Sequence, residues 1–256
     1  MPVELTLTPE SRGLLSVYPI KSVRQFDVDA FVTDRFGGVS EPPYNSLNLA
    51  THVGDRIEHV RENRQRVANA IDVDPAHLIT ISQVHGTDVV DVDGDSSSRE
   101  GDGLVSARGD LALAILVADC VPILLVDDAS TKFGVVHAGW RGLAGGVLKS
   151  ALAYFVNPGS VHAVLGPCIS MKGYQVGPEV AAHFNAIRDA LCADEGDRSR
   201  LDLRHVVASQ LSELGVSDQH VTLCRQSTDG GEMFYSDRAQ RPCGRFALVA
   251  KRSSHA

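Results

Sequence analysis

Residues 111–117, 123–126 and 133–136 are apolar almost without interruption. This feature constrains the fold most. A strand with one wet face alternates apolar and polar residues, whereas a short continuous apolar run bounded by turns belongs to a strand covered on both faces. Three such runs within 26 positions demand buried sheet with material packed on either side. Further strands are expected over 26–32, 77–83, 89–92, 161–165, 221–224 and 246–249. Helices are expected over 58–71, 143–155, 179–191 and 201–214. In the first, Ile57, Val60, Val67 and Ile71 mark an apolar face, and Asp55 with Glu58 forms a variant capping box. Residues 93–103 read as a polar surface loop. Strands and helices interleave irregularly, without repeat or linker. The expected fold is therefore α/β (α+β): one domain over 1–256, core about 26–252, with mixed β-sheets flanked by helices.

Composition removes several classes of function. The 256 residues are 43% hydrophobic and 22% charged, an ordinary globular balance. Net charge is −8 and no stretch is rich in Lys and Arg, so nucleic acid has no electrostatic footprint. The longest apolar stretch, 111–118, is far shorter than a bilayer span, so no membrane is expected. The five cysteines include no C-x-x-C pair, which fits free thiols in a reducing compartment. No basic region followed by a long apolar run opens the chain, and a cytoplasmic protein is expected.

Three short signatures stand at expected strand ends. They are Ser82-Gln83-Val84-His85-Gly86, Ala118-Asp119-Cys120-Val121-Pro122 and His137-Ala138-Gly139-Trp140-Arg141-Gly142. Two imidazoles and one thiolate are good zinc ligands, and three protein ligands leave a fourth tetrahedral position for water or substrate. Alone, each residue has a plainer role, since a histidine at a strand end is more often hydrogen-bonded and a buried cysteine is usually a small hydrophobe. Their surroundings favour the metal. Gly139 and Gly142 allow close backbone approach, Asp119 adjoins Cys120, and Arg141 offers a guanidinium fork for phosphate or carboxylate. His52 is a further candidate for the same cleft.

The signatures, together with Arg35-Phe36-Gly37-Gly38-Val39-Ser40, Tyr44-Asn45-Ser46-Leu47-Asn48-Leu49, His52-Val53-Gly54-Asp55, Asn63-Arg64, Gly166-Pro167 and Gly244-Arg245, resemble the YfiH-like laccase-domain family, also called the purine nucleoside phosphorylase YfiH family. The likeness runs from about residue 30 to 250. It implies a single α/β domain with mixed sheets and a zinc site at His85, Cys120 and His137, in which copper could replace zinc. It implies phosphorolysis of adenosine, inosine, guanosine and methylthioadenosine, with adenosine deamination in addition. The partners would be a nucleoside and phosphate, and the protein a monomer or weak homo-oligomer. Catalysis would fall to His85, Cys120, His137 and Arg141, and substrate contacts to Asn48, Arg64 and Asp119. Some positions depart from the family pattern: Lys172-Gly173 precede Tyr174 where many members carry a cysteine, Cys224-Arg225 stands for Cys-Thr, and Ser236-Asp237-Arg238 for Tyr-Arg-Arg.

Two other activities are open at this level. One is an amidase-type hydrolase editing peptidoglycan precursors, with Cys120 or Cys168 as nucleophile. The other is a copper polyphenol oxidase. The chain has no H-x-H pair, which speaks against the oxidase. A structural zinc with Cys168 as fourth ligand would make the protein a binding module.

Overall fold

A computed structural model describes residues 2–94 and 100–253. Part of the expected 93–103 loop, residues 95–99, lies outside the described residues. Two mixed sheets stack face to face. The seven-stranded sheet runs in the order Val3–Leu5, Val221–Cys224, Val161–Leu165, Val121–Asp127, Phe133–Ala138, Gly103–Ser106, Val89–Asp91. The six-stranded sheet runs Glu10–Arg12, Leu15–Pro19, Val28–Thr33, Phe246–Arg252, Ala112–Val117, Leu78–Ile79. Most neighbours are antiparallel, and the 221–224 strand pairs parallel with both its neighbours.

The apolar runs are buried on both faces for a simple geometric reason. Side chains alternate across a strand. Along Val121–Asp127, Ile123 and Leu125 face the helices Trp140–Gly145, Val147–Leu152 and Leu203–Glu213, while Leu124 and Val126 face the other sheet. Along Ala112–Val117, Leu113, Ile115 and Val117 enter the same central core, and Ala112, Ala114 and Leu116 pack beneath the helix Ile57–Ala70. Helix, sheet, sheet and helix thus form four layers. Among the described residues no helix is long and apolar enough to cross a membrane.

The local differences from expectation have local causes. Gly146 takes φ 95 and splits the expected 143–155 helix in two. The expected 179–191 helix lasts only from Pro178 to Ala181; the chain then turns, with Asp189 at φ 62, into the short strand Leu191–Ala193 of a three-stranded sheet. Asp55 does not cap the first helix. Its carboxylate accepts from Ser40 Oγ at 2.6 Å and Asn48 Nδ2 at 2.9 Å instead. Ile57 is exposed, and Asn63 joins Val60 and Val67 on the buried face. The expected 77–83 strand shrinks to Leu78–Ile79, because the turn at Pro75–His77 precedes it and the side chain of Gln83 takes over its outer end. Residues 103–106, expected within or beside a loop, form a fully buried strand.

Candidate metal centre

The site lies where the chain passes between the sheets. Cys120 belongs to the three-residue link between Ala112–Val117 of one sheet and Val121–Asp127 of the other. His85 lies on the loop from Leu78–Ile79 to Val89–Asp91, which makes the same passage. His137 sits near the end of Phe133–Ala138 and pairs with Pro122. Register and crossover therefore bring together residues 35 and 17 positions apart. Each offers one ligand atom, and the three atoms lie within 4.8 Å of one another. The His85 and His137 rings meet edge to face at 4.8 Å, and Cys120 Sγ is 4.0 Å from His85 Nε2.

The backbone bends to make this possible. His85 takes φ 59 and Asp119 takes φ 90, both in the left-handed region that side-chain-bearing residues rarely enter. Such outliers persist only where surrounding contacts hold them. For His85 the holding is visible. Gln83 Nε2 donates to the Leu116 carbonyl at 2.7 Å, and the Leu116 N–H donates to Gln83 Oε1 at 2.9 Å. This bidentate link fastens the histidine loop to the strand that leads to Cys120. Asp119 is held by both its oxygens, which accept from Thr228 Oγ1 and from the Arg238 N–H at 2.7 Å.

The donor set fits a borderline-soft divalent ion such as zinc or copper. The space around it is also shaped for close approach. A Cβ at Gly139 would stand 3.0 Å from both Cys120 Sγ and His85 Cδ2. Electrostatics favour the ligating form of the cysteine. Burial pushes the Cys120 thiol up, but His137 and His85 beside it outweigh that and hold it below its ordinary value. Burial pulls His137 down, and Cys120 together with Asp102 raises it overall. Asp102, buried and hydrogen-bonded to His137 Nδ1 at 2.7 Å, is a residue that sequence reasoning missed.

The three ligand candidates open onto a cleft of about 510 Å³. Five arginines line it, at positions 64, 141, 238, 241 and 245, against two aspartates, Asp119 and Asp237. Asp237 pairs with Arg241 at 2.6 Å and Arg245 at 3.1 Å. Among the described residues the guanidinium groups of Arg64, Arg141 and Arg238 have no carboxylate partner. Arg64 Nε donates to the Leu49 carbonyl at 2.9 Å. Arg141 stacks over Trp140 at 4.5 Å, and Arg238 over Tyr174 at 5.2 Å. An acidic protein thus presents a cationic cleft walled by aromatic rings. His52 lines it, as expected.

Two expectations are corrected. Asn48 does not reach the cleft. It is fully buried, donates to the Ala50 carbonyl and Asp55, and accepts from the N–H groups of Ala50 and Arg245, so it shapes the loop behind the wall. Cys168 is neither a fourth ligand nor a nucleophile. It stands outside the three-residue group, is wholly buried, and receives Arg204 Nε at 3.1 Å on its sulfur; burial pushes its thiol up to about 12. Arg238, Arg245 and Tyr174 join the cleft without having been singled out for it. Their only sequence signals were the Gly244-Arg245 motif and the departures around Tyr174 and Arg238.

Comparison with known proteins agrees with this architecture. A family model described as multi-copper polyphenol oxidoreductase laccase matches residues 29–253. The chain is 37% identical over 225 residues to the Escherichia coli (strain K12) protein named purine nucleoside phosphorylase YfiH, covering 86% of this chain and 92% of that one. It is 39% identical over 225 residues to the Streptomyces griseus protein named purine nucleoside phosphorylase ORF3, covering 84% and 90%. Among solved structures, Bacillus licheniformis hypothetical protein YfiH superposes with a TM-score of 0.88 at 29% identity, covering 95% of this chain and 98% of that one. YlmD from Geobacillus stearothermophilus superposes with a TM-score of 0.89 at 27% identity, covering 97% and 99%.

Proposed function

The chain belongs to the family whose model is described as multi-copper polyphenol oxidoreductase laccase, and we propose that it is a metal-dependent purine nucleoside phosphorylase, the activity for which its relatives are named. The observation that carries this reading is the pairing of a three-donor metal group with a cleft holding three arginines whose guanidinium groups are free of carboxylates among the described residues.

Phosphorolysis joins a phosphate oxygen to the ribose anomeric carbon as the bond from that carbon to the purine nitrogen breaks. The electron pair leaves with the base, which then gains a proton. The reaction needs an anion pocket and a wall for a flat base. Arg141, with Arg64, is suited to the first: a guanidinium fork binds phosphate oxygens in pairs. Trp140 and Tyr174 offer the second. Asp119 spends both oxygens on Thr228 and Arg238, so its part is to hold the 228–238 segment against the cleft. His85, Cys120 and His137 would hold zinc, with copper as an alternative occupant. When bound, the ion supplies Lewis acidity and positive charge beside the reacting groups. Lewis acidity there would also serve deamination of adenosine, in which water adds at C6 of the base and ammonia leaves, and we include it in the proposal.

The polyphenol oxidase in the family description finds little support. Among the described residues one group of three donors is present, whereas multicopper oxidation takes several copper centres. The amidase reading keeps one observation in its favour: Cys120 beside His137, with Asp102 behind it, follows the order of a Cys-His-Asp nucleophile system.

The test is product analysis of adenosine incubated with pure protein, with and without phosphate. Adenine and ribose 1-phosphate, formed only with phosphate, support phosphorolysis. Inosine supports the deaminase part. No turnover of any purine nucleoside overturns the proposal and favours the amidase.

A further inference from the structure

Asp102 stands in a segment that reads as loop, between Gly101 and Gly103. It is completely buried, and its carboxylate serves two distant parts of the metal group at once. Oδ1 meets His137 Nδ1 at 2.7 Å and accepts the main-chain N–H of His85 at 3.0 Å. Oδ2 accepts the N–H of Gly86 at 2.6 Å and, less closely, that of Val84 at 3.3 Å. Its main chain is tied to the same neighbours. The Asp102 carbonyl accepts the His137 N–H at 2.7 Å, and the Asp102 N–H donates to the Asp88 carbonyl at 2.7 Å.

We propose that Asp102 is the positioning residue of the metal centre, one carboxylate setting the orientation of both imidazoles. The inference rests on the metal reading of the site and not on which nucleoside reaction the site performs. Two physical consequences follow from the contacts. On the His137 side, a carboxylate accepts only, so the ring turns its Nδ1–H toward Asp102 and leaves Nε2 for the ion. On the His85 side, three successive N–H groups converge on the same carboxylate. Convergent N–H groups form a concavity that favours an anion. This anion holds the loop in the conformation in which His85 takes φ 59.

The donor count explains why the residue is an acid. An ionised carboxylate offers about four lone-pair sites and no donors. Four donors are present: the His137 ring and the three loop N–H groups. An asparagine has one oxygen. In either orientation its amide NH2 would confront His137 Nδ1–H or the loop N–H groups, so one imidazole loses its anchor.

The experiment compares the wild type, Asp102→Asn and Asp127→Asn. Zinc affinity is measured by chelator competition, and the cobalt(II)-substituted proteins are examined by visible absorption, whose ligand-field and thiolate bands report coordination geometry. Far-UV circular dichroism of the metal-free proteins records folding. Asp102→Asn should stay folded, bind zinc about 10–100-fold more weakly, and show an altered cobalt spectrum. Asp127→Asn, which neutralises another buried carboxylate at the opposite end of the Val121–Asp127 strand from Cys120, bonded to Ser130 and Ser160, should keep the wild-type cobalt spectrum. Wild-type affinity and spectrum in Asp102→Asn overturn the proposal, and so does an equal spectral change in Asp127→Asn. If Asp102→Asn does not fold, nitrogen-15 NMR of the zinc-loaded wild type decides: His137 protonated at Nδ1 supports the proposal, and metal bound through Nδ1 overturns it. A wild type that binds no zinc removes the metal reading itself, and this inference with it.

Discussion

Gly139 leaves no room for a side chain beside Cys120: a Cβ on residue 139 would lie 3.0 Å from the sulfur of residue 120. The same carbon would press on His85 Cδ2 at 3.0 Å. Backbone angles at this position suit any residue (φ −82), so the requirement for glycine is one of space alone.

Gly139→Ala should therefore separate ligand geometry from folding. Overpacking by one methyl costs ~1–3 kcal/mol. Here it falls on two of the three ligand candidates. Zinc binding is expected to weaken about tenfold or more while the metal-free protein remains folded. Chelator competition and thermal denaturation of the metal-free protein check this. Unchanged zinc affinity would show that the 139 backbone does not limit the site.

Arg141 is exposed and stacks on Trp140 with no carboxylate partner among the described residues. Removing its charge should affect substrate and not stability. A hydrogen bond to a charged group contributes about 1.5–3 kcal/mol. Arg141→Met is accordingly expected to raise the KM for phosphate about tenfold to a hundredfold. Its denaturation midpoint should match the wild type, as for most surface changes. Steady-state kinetics with phosphate as the varied substrate provide the check; an unchanged KM removes Arg141 from the anion site.

Asp34 makes stability depend on pH in an unusual direction. It is 3% exposed, and burial raises its carboxyl to about 6, although the Phe36 N–H donates to it at 2.8 Å. The folded state keeps this proton to higher pH than the unfolded state, whose value is near 3.8. Between these values the folded state binds more protons, so this group's contribution to stability falls as pH rises. Asp34→Asn removes that dependence. Relative to wild type, the variant should gain on the order of 3 kcal/mol between about pH 3.5 and 7. Urea denaturation at the two pH values measures the difference. A constant gap between the proteins would contradict the raised carboxyl.

The three ligand candidates were legible because their neighbours are distinctive: glycines and Trp140 after His137, Asp119 before Cys120, and Gln83 before His85. The buried strands were legible because continuous apolar runs have few other uses. Asp102 was not legible. An aspartate between two glycines has the local chemistry of an exposed turn, and the partners of its carboxylate lie 16 to 35 positions away. Asn48 misled in the opposite direction, since a polar residue in a loop motif reads as a contact when its side chain is spent on Ala50, Asp55 and the Arg245 N–H behind the cleft wall. Helix 179–191 failed because its apolar residues pack as a turning segment, with Phe184 wholly buried, and periodicity alone does not reveal a left-handed Asp189.

The most direct measurement is metal content and phosphate-dependent cleavage of adenosine, determined in parallel on the wild type and His85→Ala. The account predicts one zinc-class ion per wild-type chain with adenine released, and neither ion nor adenine release in the variant. A metal-free His85→Ala protein that cleaves adenosine at the wild-type rate would contradict it.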